Sequence, residues 1–68
     1  MYKEPKTKFE LIGTNDYIYG IEQGYNDKDF FAIGNATRYN FESGDSTEYE
    51  VFYINRNQVL CYYKTENP

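Results

Sequence analysis

Nucleophilic, acid–base and metal chemistry each need particular side chains at particular spacings, and these 68 residues hold few of them. The chain has no histidine and one cysteine, Cys61. A serine or cysteine nucleophile therefore has no imidazole base to activate it. A structural zinc site lacks the soft ligands it requires. Ser43 and Ser46 lie in an acidic stretch of turn-forming composition. Cys61 falls inside a β-rich run and reads as a small buried hydrophobe facing Phe52. Carboxylates are the remaining reactive groups. Asp27 and Asp29 flank Lys28, but a calcium loop needs several further oxygen ligands and a closing glutamate. The pair reads as loop charge or as a helix start. Glu48 and Glu50 have the residue types of a glycosidase pair, yet so short a chain leaves little room for the substrate cleft that chemistry needs. Gly13, Gly20, Gly24, Gly34 and Gly44 match neither phosphate-binding spacing. The expectation is a protein that is not an enzyme and carries no metal or cofactor.

Charge gives the carboxylates a different meaning. Residues 1–8 carry Lys3, Lys6 and Lys8 against Glu4, a net of +2. Residues 9–55 carry nine acids against Lys28 and Arg38, a net of −7, and the whole chain is −4. Such a body repels nucleic-acid phosphates and attracts basic protein surfaces, so direct nucleic-acid binding is not expected. On an extended strand, Glu48 and Glu50 would point to one side about 6.6–6.8 Å apart. Carboxylates at that interval on a rigid sheet can imitate a phosphate backbone. The plainer meaning of the same charge is solubility of a small domain.

The elements that would carry these groups are strands. The chain has nine tyrosines, five phenylalanines and no tryptophan, a composition suited to half-buried sheets and interfaces and opposite to that of disordered segments. One domain is the limit at this length, with residues 1–7 expected as a loose arm and 65–68 as a frayed end. Folds this small bury only about 60% of their unfolded surface and are marginally stable. No disulfide can help, and self-association can. No apolar run approaches the ~20 residues of a membrane-spanning helix, and residues 1–8 do not resemble a signal peptide. A cytoplasmic setting without membrane contact is the expectation. Asn35-Ala36-Thr37 fits the glycosylation triplet, which such a setting would leave unused.

Phe9 to Ile12 and Tyr17 to Glu22 predict a hairpin around the turn at 13–16. Thr47 to Asn55 and Gln58 to Lys64 predict a second hairpin around Arg56-Asn57. Its register would set Ile54 against Val59, Phe52 against Cys61, Tyr53 against Leu60, Val51 against Tyr62 and Tyr49 against Lys64. Both of its faces are then largely apolar, so it is either covered twice or left waiting for a partner. Phe30 to Phe41 favours a strand by its β-branched and aromatic content, with a short helix near 27–36 as the alternative. Residues 24–27 and 42–46 read as breaks. The fold class expected is all-β: four or five antiparallel strands in meander order, forming a curled sheet or open barrel, or α+β if the helix forms.

In length, acidity, Tyr/Asn-rich composition and lack of catalytic groups, the whole chain resembles small accessory proteins of bacteriophages and mobile elements, without sharing a motif. The resemblance implies a viral, anti-defence type of inhibitor that occupies a host nucleic-acid enzyme or defence complex, as a DNA mimic if the charge is used that way. The partner expected is a protein with a basic surface. The contact residues expected are Tyr17, Asp45, Glu48, Tyr49, Glu50 and Tyr62, with the tyrosines as anchors. The competing expectation is a structural protein, dimeric or larger, whose aromatic two-faced hairpin is buried between copies.

Overall fold

A computed structural model describes residues 6–24 and 28–66. Five strands make up nearly all of it: β1 (Lys6–Leu11), β2 (Asp16–Glu22), β3 (Phe30–Asn40), β4 (Ser46–Asn55) and β5 (Val59–Thr65). One turn of 3₁₀ helix, Arg56–Gln58, separates the last two. The all-β expectation holds, and Phe30–Asn40 is a strand throughout, so the helix near 27–36 does not form from residue 30 onward. Residues 25–27 lie outside the described residues, as do 1–5 and 67–68. The sheet starts at Lys6, and Thr7 is buried, so the last two residues of the expected arm belong to β1. At the other end Thr65 still belongs to β5.

The first hairpin forms as its turn chemistry predicts. β1 and β2 pair with Phe9 opposite Ile18 and Glu10 opposite Tyr17, across a turn in which Gly13 adopts φ 73°. The second hairpin does not form. All strands are antiparallel in one open sheet, but the order is β4-β3-β2-β1-β5. β4 pairs with β3, setting Phe52 opposite Ile33 and Ile54 opposite Phe31. β5 pairs with β1, setting Cys61 opposite Glu10 and Tyr62 opposite Phe9. Cys61 is exposed rather than buried, because an edge strand outside the packed face covers little of it.

The turn between β4 and β5 explains the departure. Arg-Asn lacks the left-handed pair that closes a two-residue hairpin. Instead the Asn55 side chain accepts a hydrogen bond from the Asn57 amide and caps a 3₁₀ turn. The Arg56 amide then donates to the Asp29 carbonyl, and the Ile12 amide donates to the Gln58 carbonyl, each at 2.9 Å. These bonds anchor the turn between the start of β3 and the end of β1, and the chain leaves it along β1. Geometry also forces the sheet to curl. Four flat strand spacings would separate the two edges by about 19 Å, whereas the four Cα steps from Asn55 to Val59 reach at most about 15 Å.

Curling encloses one apolar core. Phe9, Ile18 and Ile33 are fully buried, joined by Phe31, Ala36 and Ile54, with Leu11, Phe52 and Val59 at its margin. Each large side chain buried there contributes about 1.5–3 kcal/mol. Phe9 and Phe31 meet at 5.1 Å between ring centroids, and Tyr62 closes over both at 5.6 and 5.0 Å. Among the described residues, no buried side-chain nitrogen or oxygen lacks a hydrogen-bond partner. Both β2 and β3 carry an irregularity where they cross the core. The register slips between Tyr19 and Ile21, and Asn35 takes up φ 47°, a left-handed conformation that asparagine tolerates better than most residues.

Gly20 sits at that slip. A Cβ there would lie 2.6 Å from Ile33 Cγ2 and 2.8 Å from the Gly34 carbonyl oxygen. Backbone on one side and a fully buried isoleucine on the other leave no room to give. Gly20→Ala is expected to lower stability by about 1–3 kcal/mol, read as a lower urea midpoint with an unchanged slope.

Candidate functional site

The strand order sorts charge. The segment from Phe41 to Asn55, which comprises the β3–β4 turn and β4, carries Glu42, Asp45, Glu48 and Glu50 and no base. It forms one edge of the sheet. β1 and β5 form the other side and carry Lys6, Lys8 and Lys64 against Glu10. The acidic strand and the lysine-bearing strands are thus set apart in the strand order, although Lys6 lines one groove with Glu48 and Glu50.

The acidic edge is largely exposed. Ser46 to Val51 and Tyr53 are exposed along β4, Val51 at 45% and Tyr53 at 62%, while Ile54 points into the core. Glu48, Tyr49 and Glu50 line a shallow groove of about 380 Å³ with Asn35, Thr37 and Lys6. The Tyr49 ring leans on Phe52 at 4.9 Å, which fixes it. Asp45 lies in the turn just before β4. Its amide donates to Ser43 Oγ, and its carbonyl accepts from the Asn40 amide. Four of the six residues expected at a contact surface therefore share this edge.

The other two lie elsewhere. Tyr62 is on β5, stacked on Phe9 and edge-on to Phe31, so its ring closes the core while half its surface stays exposed. Tyr17 belongs to an aromatic strip that sequence reasoning missed. Its ring stacks on Tyr39 at 5.0 Å and faces Phe41 at 6.4 Å. Lys8 Nζ sits 4.3 Å from its centroid, within the range of a cation–π contact. On the neighbouring strand, the Tyr63 hydroxyl donates to Glu10 Oε2 at 2.8 Å. That bond holds the phenol neutral and raises its pKa, while burial and the adjacent Tyr39 raise that of Tyr17. The signal for this strip was present as Tyr17-x-Tyr19 and Tyr39-x-Phe41, two aromatic pairs at strand period. Tyr17, Phe41, Lys8, Glu10 and Leu60 line a second groove of about 410 Å³.

Beside the strip, Asp16 holds the acidic turn in place. It accepts from Arg38 Nε and from Asn40 Nδ2, each at 2.7 Å, and Arg38 Nη2 lies 2.5 Å from the same carboxylate. The Asn40 side-chain oxygen in turn accepts from the amides of Glu42 and Ser43. Asn15 adds a hydrogen bond to the Glu42 carboxylate across the gap between the two turns. Asp45 is thus presented by a braced loop.

Among the described residues, no group of three or more His, Cys, Asp or Glu side chains could hold a metal ion. No helix among the described residues is long and apolar enough to cross a membrane. The chain matches no protein-family model and no curated protein.

The bracing of the turn depends on pH. The Arg38 hydrogen bond, helped by that of Asn40, holds the Asp16 carboxyl below its ordinary value against the opposing effect of burial. A depressed folded pKa means the stabilisation is complete above the unfolded carboxylate pKa of about 3.9 and is lost as the pH falls through the folded value. Asp16→Asn should remove this part of the acid dependence. Urea midpoints taken from neutral pH down through the carboxylate range would show wild type and variant converging at the acidic end.

Proposed function

We propose that this chain is a non-catalytic protein-binding module that docks its acidic β4 edge on a basic protein surface. One observation carries the reading: Glu42, Asp45, Glu48 and Glu50 lie together along one exposed edge, where Lys6 is the one base lining the Glu48–Glu50 groove. Charges segregated in this way orient an approaching basic partner and speed its encounter. Tyr49, held against Phe52, supplies a rigid aromatic anchor beside them.

The finer reading is that the partner is a nucleic-acid enzyme or a defence complex that the module inhibits. Carboxylates spaced along β4 would then take the place of phosphates in a basic groove. The braced turn supports it, because a charge imitator gains by holding its carboxylates in place before it binds.

The test is capture of partners by the tagged protein at low and high salt, followed by affinity measurement on the purified partner. A basic protein retained at low salt and released at high salt is the expected outcome. Charge reversal with E48K and E50K should weaken binding by about tenfold or more and flatten its salt dependence. Unchanged affinity for the double variant, with its β-sheet circular dichroism intact, would remove the acidic edge from the interface.

A further inference from the structure

Among the described residues, the sheet ends in two strands that each have one partner. β4 bonds to β3 and β5 to β1. Proteins ordinarily blunt such edges with proline, a bulge or an inward charge. β4 contains no proline, glycine or lysine over its ten residues, and residues 51–55 carry no charge. β5 has an uncharged run at 59–63 and a single lysine, Lys64. Val51, Tyr53, Leu60 and Tyr62 are 45%, 62%, 66% and 52% exposed. The pairing of β5 with β1 slips at Leu60, yet both edges keep exposed apolar side chains, which invite pairing.

The two edges also match one another. Set antiparallel, β4 and β5 bring Tyr53 opposite Leu60, Val51 opposite Tyr62 and Tyr49 opposite Lys64, with Glu48 and Glu50 flanking that lysine. This complementarity is what makes the two segments read as a hairpin in the sequence. Within the chain it goes unused, because the Arg56–Gln58 turn sends β5 to β1. It remains available between chains. β4 against a second β4 would bring the acidic halves of two edges together, whereas β4 against β5 joins acid to base.

We propose that the β4 edge of one copy pairs antiparallel with the β5 edge of the next. The inference goes beyond the partner-binding reading, since Glu42 and Asp45 in the turn stay outside the contact. Such a contact joins two different surfaces, so it propagates into a ring or an open fibre and does not stop at two copies.

Light scattering behind size exclusion, over loads from about 1 µM to about 500 µM, reads the mass directly. The expected result is a mass that rises past two copies with concentration. E48K/E50K and, separately, K64E should each weaken assembly by about tenfold or more through like-charge contact. Mixing the two variants should restore it, because each then offers the edge the other lacks. That rescue does not depend on any foreign partner, so it separates this contact from the binding reading. A monomer throughout the range overturns the proposal. So does a species that stops at a dimer, or an assembly indifferent to K64E while both variants retain their β-sheet spectrum.

Discussion

Everything distinctive about this molecule depends on three residues that decline to make a hairpin. The Asn55 cap and the two backbone bonds to Asp29 and Ile12 fix Arg56–Gln58 as a 3₁₀ turn against the ends of β3 and β1. From there β5 can reach only β1. The sheet must curl to let it do so, and curling is what closes Phe9, Ile18, Phe31 and Ile33 into a core. Arg56 adds its guanidinium over the Phe31 ring at 4.1 Å, covering the core where the turn crosses it.

The same turn decides what the surface offers. By parting β4 from β5 it places the acidic strand and the Lys64-bearing strand at opposite ends of the strand order. Among the described residues, it also leaves each of these strands with one strand partner. Small domains must bury a large share of their apolar residues to be stable, yet this one keeps Val51, Tyr53, Leu60 and Tyr62 in solvent. Such exposure is costly for a molecule that works alone and useful for one that associates. The carboxylates are spread along an edge strand and the turn before it, with Glu48 and Glu50 lining a shallow groove.

Much of the fold was legible because it rests on local rules. Phe9-x-Leu11 and Tyr17-x-Tyr19 alternate at strand period, and Gly13 to Asp16 have turn chemistry, so the first hairpin follows from neighbours in sequence. The β4 and β5 runs were legible as strands for the same reason. Their pairing was not, because apolar edges of similar length match equally well in more than one order, and the choice rests on contacts of Arg56 and Gln58 with distant backbone. The contact residues divided likewise. Asp45, Glu48, Tyr49 and Glu50 are close in sequence and stay together in space. Tyr17 and Tyr62 are separated from them by the strand order, and the Tyr17, Tyr39, Phe41 strip is assembled from two strands far apart in sequence.

By itself, then, the sequence determined an all-β chain with an acidic centre, basic flanks and no histidine to support common acid–base chemistry, since composition and period-two patterning are properties of residues and their neighbours. Tertiary structure alone decided which strands pair, that Cys61 faces solvent, that Gly20 must stay glycine, and that Lys6 lines one groove with Glu48 and Glu50. Those outcomes depend on long-range hydrogen bonds and on how a curled sheet fills its interior, and neither is encoded within the reach of any single segment.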